Sequence, residues 1–421
     1  GATGVRGRAC FPPSLLKKHA GIAASLMFAG LWSSMLAMRL AKGVGKMSEW
    51  TPSQRRAVFD TDRSMVVAAG AGSGKTRVLV GRYLYLLESG LADLDEIVAI
   101  TFTEKAATEM KGRVWSTIVQ RQAEAEACGE DAGRWRDLSR RLASQARIST
   151  IDAFCSRLVR DYPLEAGVDP HFTVLDPLDA SRLIDQAAME AIDALIREGD
   201  ENMARLIADF GVSRVAKGIA YVYGKMRTTG RPMQEFARIS SEKIRRCAEE
   251  SKDGLAEEWD DIVDTLAAGG ADVGLLCALD WDSPEFIEEF LKIHSTAQPV
   301  RSVVTAKELD KIAKQVREKA ANFVYADMMV STVETVVRAC EVLDETYLWL
   351  RGNGASMDFA GLELAARDLL RDTDAGERVR KQIKFVMVDE YQDTYSLQHE
   401  IVMELAGDPP GNRLFIVGDV K

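Results

Sequence analysis

The sequence predicts an α/β fold, in which a parallel sheet is flanked by helices and interrupted by a large helical insertion. Four apolar runs, each about four residues long, indicate its strands: 65–68, 97–100, 385–388 and 414–417. They are too short for helices, and they are continuous rather than alternating, which is typical of strands buried on both faces of a parallel sheet. Each run ends at or close to glycine or polar residues. Because ligands bind beyond the carboxyl ends of such strands, we expect the chemistry there.

Length and composition describe a globular protein with two or three domains. The chain has 421 residues, of which 47% are hydrophobic and 28% are charged, as in ordinary soluble proteins. Its six cysteines are far apart and accompany only four histidines, so neither a disulfide framework nor a zinc module is predicted. The formal charge of -10 excludes a basic field over the whole molecule, so a nucleic-acid partner requires a local basic or polar track. We expect a cytoplasmic protein.

The first 46 residues differ from the rest, since they carry seven lysines or arginines and no acid. An apolar run between Lys18 and Arg39 has the length and flanking bases of a signal anchor or a marginal membrane helix. The abrupt change in charge near Met47 favours a different interpretation, an upstream translated segment outside the fold. We therefore expect residues 1–46 to be no part of the folded domains, and we expect no membrane partner.

A phosphate-binding loop follows the first apolar run. Its residues are Ala69, Gly70, Ala71, Gly72, Ser73, Gly74, Lys75 and Thr76, and an apolar helical stretch comes next. Small residues allow backbone amides to surround phosphate oxygens, and the start of the helix adds a favourable dipole. Lys75 is expected to reach the β and γ phosphates of a nucleotide, and Thr76 to hold Mg²⁺ through its hydroxyl. The strand before the loop and the helix after it make the pattern specific.

A pair of carboxylates, Asp389 and Glu390, follows the third apolar run. A carboxylate at the end of a buried strand beside a phosphate loop can hold Mg²⁺, and a second one can orient and deprotonate an attacking water. We assign the first role to Asp389 and the second to Glu390, so that these two and Lys75 are the candidate catalytic residues. Alone, such a pair is more often a solvated helix cap. The buried run and the phosphate loop favour the functional interpretation.

Five ordered motifs resemble those of the UvrD-like superfamily 1 DNA helicases, and in particular their AddA/RecB branch. They are AAGAGSGKTRVL at 68–79, ITFTEKAATEMKGRV at 100–114, ISTIDAFCSRLVR at 148–160, FVMVDEYQDT at 385–394 and LFIVGDVK at 414–421. The resemblance is strong in the motifs and weak between them. It implies a RecA-like P-loop NTPase domain with ATP and Mg²⁺ as cofactors. It also implies ATP-driven movement on single-stranded DNA, with 3′ to 5′ polarity, in double-strand break repair and recombination.

The resemblance implies partners and nucleotide contacts as well. The expected partners are single-stranded or duplex-end DNA and a second helicase/nuclease subunit of the AddB type. Gln54 matches the glutamine that reads the adenine edge, and Arg77 matches the arginine beside the base. Together with the phosphate loop they complete the expected nucleotide-binding set. Gln392 and Thr394 match residues that couple the nucleotide to the DNA track, and Gln398 matches a polar position on the next helix.

Two further motifs match residues that contact DNA in the family. Those of the second motif are Thr101, Phe102 and Thr103. A phenylalanine at a strand end can stack on a base, and threonines can bind phosphate. Thr150 and Phe154 match the other DNA-facing motif, where Asp152 and Ala153 depart from the His-Ser pair that is common there.

We expect four segments: a leader at 1–46, the first part of a motor domain (1A) at 47–175, an almost wholly helical, 1B-like insertion at 176–355, and a return to the motor domain at 356–421. In the insertion, Tyr221, Tyr223 and Trp349 are expected to pack in the core. By resemblance, a second motor domain continues beyond Lys421 and supplies arginines to the ATP site, a contribution of about 10³ to 10⁵ in rate. The chain is therefore expected to be an amino-terminal half that hydrolyses ATP poorly alone.

Two other classes of function stay open. The first is a nucleotide-gated DNA-binding or scaffold protein without catalysis, in which the same motifs bind nucleotide and DNA but do not hydrolyse ATP repeatedly. DNA-stimulated phosphate release that Glu390→Gln silences separates the motor from the scaffold. A small-molecule kinase would need a pocket for the phosphate acceptor, and it leaves Phe102 and the carboxylates at 389–390 without a shared purpose.

Overall fold

The computed structural model describes residues 50–70, 74–300, 304–407 and 410–419. The predicted leader at 1–46 lies outside the described residues, as do Ala71, Gly72 and Ser73 of the predicted phosphate loop. The chain forms two compact units, one up to Gly167 and again from Leu362 onward, the other from Val168 to Gly361. The segment boundaries at 176 and 355 stay a prediction.

The first unit is built on a five-stranded parallel sheet, in the order β1-β7-β6-β2-β3. The strands of the described residues are β1 (Met65–Ala68), β2 (Ile97–Thr101), β3 (Arg147–Thr150), β4 (Thr173–Val174), β5 (Ser356–Met357), β6 (Phe385–Val388) and β7 (Leu414–Gly418). All four predicted strands are present, so the predicted α/β fold with a parallel sheet is confirmed. The short β4 and β5 pair with each other in the second unit.

Helices make up most of the remaining described chain. They are α1 (Pro52–Phe59), α2 (Lys75–Ser89), α3 (Glu104–Cys128), α4 (Gly133–Gln145), α5 (Ile151–Asp161), α6 (Pro177–Glu198), α7 (Glu201–Phe210), α8 (Val212–Arg227), α9 (Met233–Ala256), α10 (Trp259–Ala268), α11 (Val273–Cys277), α12 (Phe286–His294), α13 (Ala306–Val324), α14 (Ala326–Leu350), α15 (Phe359–Asp372), α16 (Asp374–Gln382) and α17 (Ser396–Ala406). Among the described residues, none of these helices has the length and apolar character needed to cross a membrane.

The outer strand β1 corrects one expectation, because it is not buried on both faces. Val66 is 73% exposed, and burial alternates along the strand. Among the described strands β1 pairs only with β7, and a cavity of about 650 Å³ lies against it. Strands β2 and β6, which have neighbours on both sides, are buried throughout, as expected.

A buried arginine fixes the first helix to the sheet. The guanidinium of Arg82, on α2, donates hydrogen bonds to the carbonyl oxygens of Ala57 and Asp60 at 2.8 and 2.7 Å. It also lies 4.5 Å from the ring centroid of Phe415 on β7, within the range of a cation–π contact. Burial lowers the pKa of Arg82 to about 10. These contacts hold the end of α1 against α2, the two helices that carry the predicted nucleotide contacts.

The second unit is mainly helical and has a buried ion pair. Arg227 Nη2 lies 2.9 Å from Asp358 Oδ1, and the guanidinium sits 5.4 and 5.5 Å from the ring centroids of Tyr223 and Tyr347. Tyr223 is buried as expected. The same expectation was wrong for the exposed Tyr221 and Trp349. On a helix, residues two apart do not share a face, so Tyr221 and Tyr223 cannot both point inward.

Candidate active site

Lys75 connects residues that follow three neighbouring strands. It is the first residue of α2, and its Nζ donates to Glu390 Oε2 at 3.0 Å and to Asp419 Oδ1 at 2.6 Å. These residues come after β1, β6 and β7, whose carboxyl ends are adjacent in the sheet. The hydrogen bond to Asp419 is the main cause of a raised pKa of Lys75, which keeps the ammonium charged.

Asp419 was not among the predicted site residues. The sequence contained the signal, since Asp419 directly follows strand β7, as Asp389 directly follows β6. The rule that places ligand-binding residues at the carboxyl ends of parallel strands applies to both positions.

Asp389 and Glu390 occupy a sharp turn at the end of β6. The amide of Asp389 continues the ladder by donating to the Ile100 carbonyl at 2.9 Å, and Asp389 Oδ1 accepts from the Glu390 amide at 3.0 Å. Burial, followed by the charge of Glu390, raises the pKa of Asp389. Glu390 has φ 51° and ψ 41°, a left-handed conformation that costs about 1–3 kcal/mol for a residue with a side chain. The strained turn directs Glu390 towards Lys75.

Gln392 links the ends of β6 and β7 through both atoms of its side-chain amide. Its Nε2 donates to Glu390 Oε2 at 2.7 Å, and its Oε1 accepts from the Asp419 amide at 2.9 Å. The approach is close, because a Cβ added to Gly418 would lie only 2.7 Å from Gln392 Oε1. Glycine is therefore required at the end of β7 for this amide to fit.

Gln54 lies beside the end of the phosphate loop. Its Oε1 accepts from the Thr51 amide at 3.2 Å, and its own amide donates to Thr51 Oγ1 at 3.3 Å, which together form a capping box at the start of α1. A Cβ added to Gly74 would lie 3.2 Å from Gln54 Nε2. The capping box thus orients the amide group towards the loop.

The nucleotide side of the site has an aromatic residue that the sequence analysis missed. The guanidinium of Arg77 lies 4.6 Å from the ring centroid of the buried Trp50. On the opposite side of the loop, the amide of Ala69 donates to the Gly418 carbonyl at 3.0 Å, which continues the β1–β7 pairing. Gly70 is exposed, and Thr76 is half-buried in the first turn of α2.

The described residues offer oxygen ligands for Mg²⁺, but they do not form a complete coordination site by themselves. Thr76 contributes a hydroxyl and Asp389 a carboxylate, which are ligand types that Mg²⁺ accepts. Within the described ranges no group of three or more histidine, cysteine, aspartate or glutamate side chains could hold a metal. This donor set fits an ion whose other ligands are phosphate and water oxygens, as is usual for Mg²⁺ at a nucleotide.

The predicted DNA-contact residues of the second motif surround the end of β2. Thr101 is buried and its Oγ1 donates to the Thr103 carbonyl at 3.1 Å, whereas Phe102 is 63% exposed. Thr103 caps α3 by accepting from the Ala106 amide at 3.1 Å. An exposed phenylalanine at a strand end is available for stacking on a base.

The other predicted DNA contacts are less accessible. Thr150 caps α5, accepting from the Ala153 amide at 3.3 Å and donating to Glu104 Oε1 at 2.8 Å. Phe154 is only 5% exposed, so the structure does not place its ring on the open surface with Phe102. This burial follows from its position on the inner face of α5.

A cavity of about 180 Å³ brings the two sets of predicted residues together. Its lining includes Thr101, Phe102 and Thr150 from the DNA-contact motifs and Asp389, Glu390, Thr394 and Gln398 from the nucleotide and coupling motifs. A displacement on one side of this cavity changes the packing on the other side.

A buried acidic cluster adjoins this cavity and was also missed. Glu363, on α15, is fully buried and accepts a hydrogen bond from Gln398 Nε2 at 2.8 Å and another from the Tyr395 hydroxyl. Asp152 hydrogen-bonds to Glu363. Burial is the main cause that raises the pKa of Glu363 to about 7. Asp152, which replaces the usual histidine of its motif, thus has a carboxyl partner.

Comparison with known proteins gives one family and a consistent group of relatives. Residues 50–421 match the family described as UvrD/REP helicase N-terminal domain. An ATP-dependent helicase/nuclease subunit from Listeria monocytogenes is 28% identical, over 89% of this chain and 35% of the relative. A protein of the same name from Levilactobacillus brevis is 27% identical over 88% of this chain and 34% of the relative. Another, from Alkaliphilus oremlandii, is 28% identical over 89% of this chain and 35% of the relative. The chain spans about a third of the length of these curated relatives.

Proposed function

This chain belongs to the UvrD/REP helicase family, and we propose that it forms the ATP-binding part of a motor that couples ATP hydrolysis to movement along single-stranded DNA. The observation that carries the proposal is the pair of contacts from Lys75 Nζ to Glu390 and Asp419, at 3.0 and 2.6 Å. They support a site in which residues following three neighbouring strands surround one phosphate group.

The chemical roles follow from the charges around Lys75. Glu390 and Asp419 balance the ammonium group, and Lys75 exchanges them for phosphate oxygens when ATP binds. Glu390 is then available to orient a water molecule and accept its proton. Thr76 and Asp389 would hold Mg²⁺, which neutralises charge on the phosphates when bound.

Coupling to DNA runs through the cavity of about 180 Å³. Phe102 stacks on a base, Thr101 and Thr103 position the strand, and Thr150 and Phe154 support the neighbouring turn. Gln392 and Thr394 transmit the state of the nucleotide, because Gln392 contacts Glu390 and Asp419. On the other side, Gln54 reads the adenine edge and Arg77 lies beside the base, next to the loop 69–76.

The relatives' name supports a wider role for the complete protein. It includes a nuclease and identifies each relative as one subunit of a larger enzyme, so we propose an exonuclease function, a second subunit of the AddB type, and duplex-end DNA as a substrate. The setting is double-strand break repair and recombination in the cytoplasm, with 3′ to 5′ movement. In this arrangement 47–175 and 356–421 form the motor domain and 176–355 its 1B-like insertion.

The test is phosphate release by the full-length protein with and without single-stranded DNA. We expect DNA to stimulate release, and Glu390→Gln to suppress it by about 10³-fold or more, because the water loses its base. Nucleotide binding should survive this change and be weakened by Lys75→Ala.

The control is Glu318→Gln, which makes the same chemical change at an exposed site in the helical unit. Phosphate release that is insensitive to DNA in the wild type would exclude the motor. Binding of both nucleotide and DNA without turnover would instead identify a nucleotide-gated scaffold.

A further inference from the structure

Glu363, on α15, is a buried carboxyl group that none of the roles proposed above uses. It is closed off from solvent, with 0% of the residue exposed. Gln398 Nε2 donates to its Oε1 at 2.8 Å, and the Tyr395 hydroxyl donates to its Oε2. The third partner is the side chain of Asp152. Glu363 therefore joins residues from two other parts of the first unit.

These partners also belong to the cavity of about 180 Å³. Asp152 is in the first turn of α5, which directly follows β3, and it lines the cavity together with Phe102. Gln398 is in the first turn of α17 and lines the cavity together with Glu390. Glu363 is not part of this lining, but it contacts both Asp152 and Gln398. It is thus a bridge between the start of α5 and the segment that follows Glu390.

The two carboxyl groups of Asp152 and Glu363 need a proton between them. A hydrogen bond requires a donor, and two ionised carboxylates have none. Burial raises the pKa of Glu363 to about 7 and also raises the pKa of Asp152. None of the groups that face the pair is a cation; they are Glu104 of α3, Cys155 of α5, Tyr395 before α17 and Gln398 of α17. Two adjacent buried carboxyl groups without a cation keep one proton at neutral pH.

Loss of this proton acts on the start of α5. The two neutral donors go on donating to an ionised Glu363, whereas Asp152 changes from a hydrogen-bond partner into a like charge. The same helix start is capped by Thr150, which also donates to Glu104 Oε1 at the start of α3 at 2.8 Å. The protonation state of the pair therefore determines how firmly the start of α5 is held to α15 and α17.

We propose that Asp152 and Glu363 are positioning residues that share one proton, and that DNA bound at Phe102 accelerates ATP hydrolysis at Glu390 only while this proton is in place. The inference rests on the proposed function and adds a condition to it. With the proton present, the start of α5 is held to α17, which follows the strand end that carries Glu390. When the proton leaves to solvent, this hold is released and DNA no longer acts on the ATP site. Both residues act through Gln398 rather than on the nucleotide, so basal hydrolysis continues.

The measurement is phosphate release by the full-length protein, with and without a saturating oligothymidylate, at several pH values between about 6 and 8.5. The quantity compared is the ratio of the stimulated rate to the basal rate, because this division removes the pH dependence that both rates share. For a pKa of about 7, the protonated fraction falls roughly 30-fold over this range. We therefore expect the ratio of the wild type to fall about tenfold as the pH rises.

Glu363→Gln replaces the protonated carboxyl group by an amide of the same shape. The amide donates to an ionised Asp152 and accepts from Gln398, so the variant should keep the stimulation ratio of low pH throughout the range. At high pH it should therefore be stimulated more strongly than the wild type, which a merely structural role would not produce. Asp152→Asn should give the same flat profile, because its amide donates to an ionised Glu363. The same result from either change is expected when the proton belongs to the pair.

The matched control is Glu88→Gln. Burial also raises the pKa of Glu88 to about 7, and this residue lies on α2 in the same unit, outside the acidic cluster. Glu88→Gln should reproduce the wild-type profile. A wild-type ratio that does not change with pH would overturn the proposal, and so would a Glu363→Gln profile that matches the wild type. Loss of stimulation in Glu363→Gln at every pH would overturn it as well, because the amide preserves the hydrogen bond to Asp152.

A second arm tests the shared proton apart from the proposed function. If DNA does not stimulate the wild type, the motor itself fails, and the coupling role fails with it. The infrared band of protonated carboxyl groups is then followed over the same pH range, in a Glu88→Gln background that removes the signal of that residue. Loss of the band with rising pH that is absent from both Glu363→Gln and Asp152→Asn would retain the shared proton. No loss, or a loss that survives either change, would overturn the pair.

Discussion

The side-chain amide of Gln392 connects the carboxylate proposed as the base to the strand end that carries Asp419. Its Oε1 accepts from the Asp419 amide at 2.9 Å, and its Nε2 donates to Glu390 Oε2 at 2.7 Å and to Asp393 Oδ2 at 3.2 Å. An amide held on both sides has little freedom, so a small displacement of β7 is transmitted to Glu390. The glycine at 418 makes this approach possible.

Gly418→Ala tests the close approach. The new Cβ would lie 2.7 Å from Gln392 Oε1, so we expect this amide to be displaced from Glu390 and Asp419, with a small change in the free energy of unfolding and a large decrease in DNA-stimulated phosphate release. Gly112→Ala is the control, because its Cβ meets no atom within 4 Å and alanine stabilises a helix by about 0.5–1 kcal/mol. Normal activity in Gly418→Ala would show that the amide link is dispensable.

Glu363 predicts a pH dependence of stability. Burial raises its pKa from 4.5 to about 7, so the folded protein holds a proton that the unfolded chain releases. Between about pH 4.5 and 7 the unfolded state binds fewer protons, and stability therefore falls as the pH rises. The groups facing Glu363 from the surrounding elements are Asp152, Cys155, Tyr395 and Gln398.

Glu363→Gln removes this titration. We expect the variant to gain about 1–3 kcal/mol relative to the wild type as the pH rises through this window, as measured by denaturant unfolding at several pH values. Glu88→Gln is an informative companion, since burial also raises the pKa of Glu88 to about 7 and that residue lies outside the acidic cluster. A difference between wild type and Glu363→Gln that does not change with pH would contradict the buried neutral carboxyl group.

At the scale of elements, the start of helix α1 has two roles: it stabilises the helix and it positions Gln54. Its capping box uses the Gln54 side chain, which also lies next to Gly74. Thr51→Val removes the hydroxyl that accepts from the Gln54 backbone amide. It should therefore cost about 1 kcal/mol of stability and raise the KM for ATP, because the first turn of α1, which carries Gln54, is held less firmly. Thr305→Val is the matched control, since Thr305 forms a capping box with Glu308 at the start of α13. We expect Thr305→Val to lose the same stability with an unchanged KM for ATP. If the two variants had the same KM, Gln54 would have no part in nucleotide binding.

The strands show what local sequence can and cannot predict. Runs of apolar residues identified β2, β6 and β7, because strands that are buried on both faces leave a continuous signal. β3 escaped this criterion, since burial alternates along it and Arg147 and Ser149 face outward. β1 was found, but its exposed face was not expected, because a pattern of residues does not say which strand lies at the edge of a sheet.

The site was predictable wherever a residue directly follows a strand. Asp389 and Glu390 were found in this way, Lys75 was found through the phosphate-loop pattern, and the strand-end rule would also have found Asp419. Glu363 and Trp50 are different. Glu363 lies on helix α15 and Trp50 lies two residues before α1, and nothing in the sequence around them indicates which strand end they approach. Tertiary packing alone brings them there.

At the scale of the whole molecule, the chain divides into two compact units, and each has its own stabilising core. The buried ion pair between Arg227 and Asp358 belongs to the second unit. It is enclosed by Tyr223 and Tyr347, and the charge and hydrogen bonds of Arg227 keep the pKa of Asp358 below its usual value in spite of burial. Breaking a buried pair leaves an uncompensated charge, which is far more costly than losing an exposed pair.

Asp358→Ala should therefore destabilise the second unit by about 3–5 kcal/mol while the five-stranded sheet remains folded. Hydrogen exchange measures both, since amides of α8 and α14 should lose protection and those of β2 and β6 should keep theirs. Arg338→Ala is the control, because Arg338 pairs with Glu198 on the exposed surface of the same unit, where such a pair contributes about 0–1 kcal/mol. Parallel loss of protection in β2 and β6 would mean that the sheet cannot stay folded without the helical unit. Nucleotide binding by the sheet would then depend on the ion pair as well.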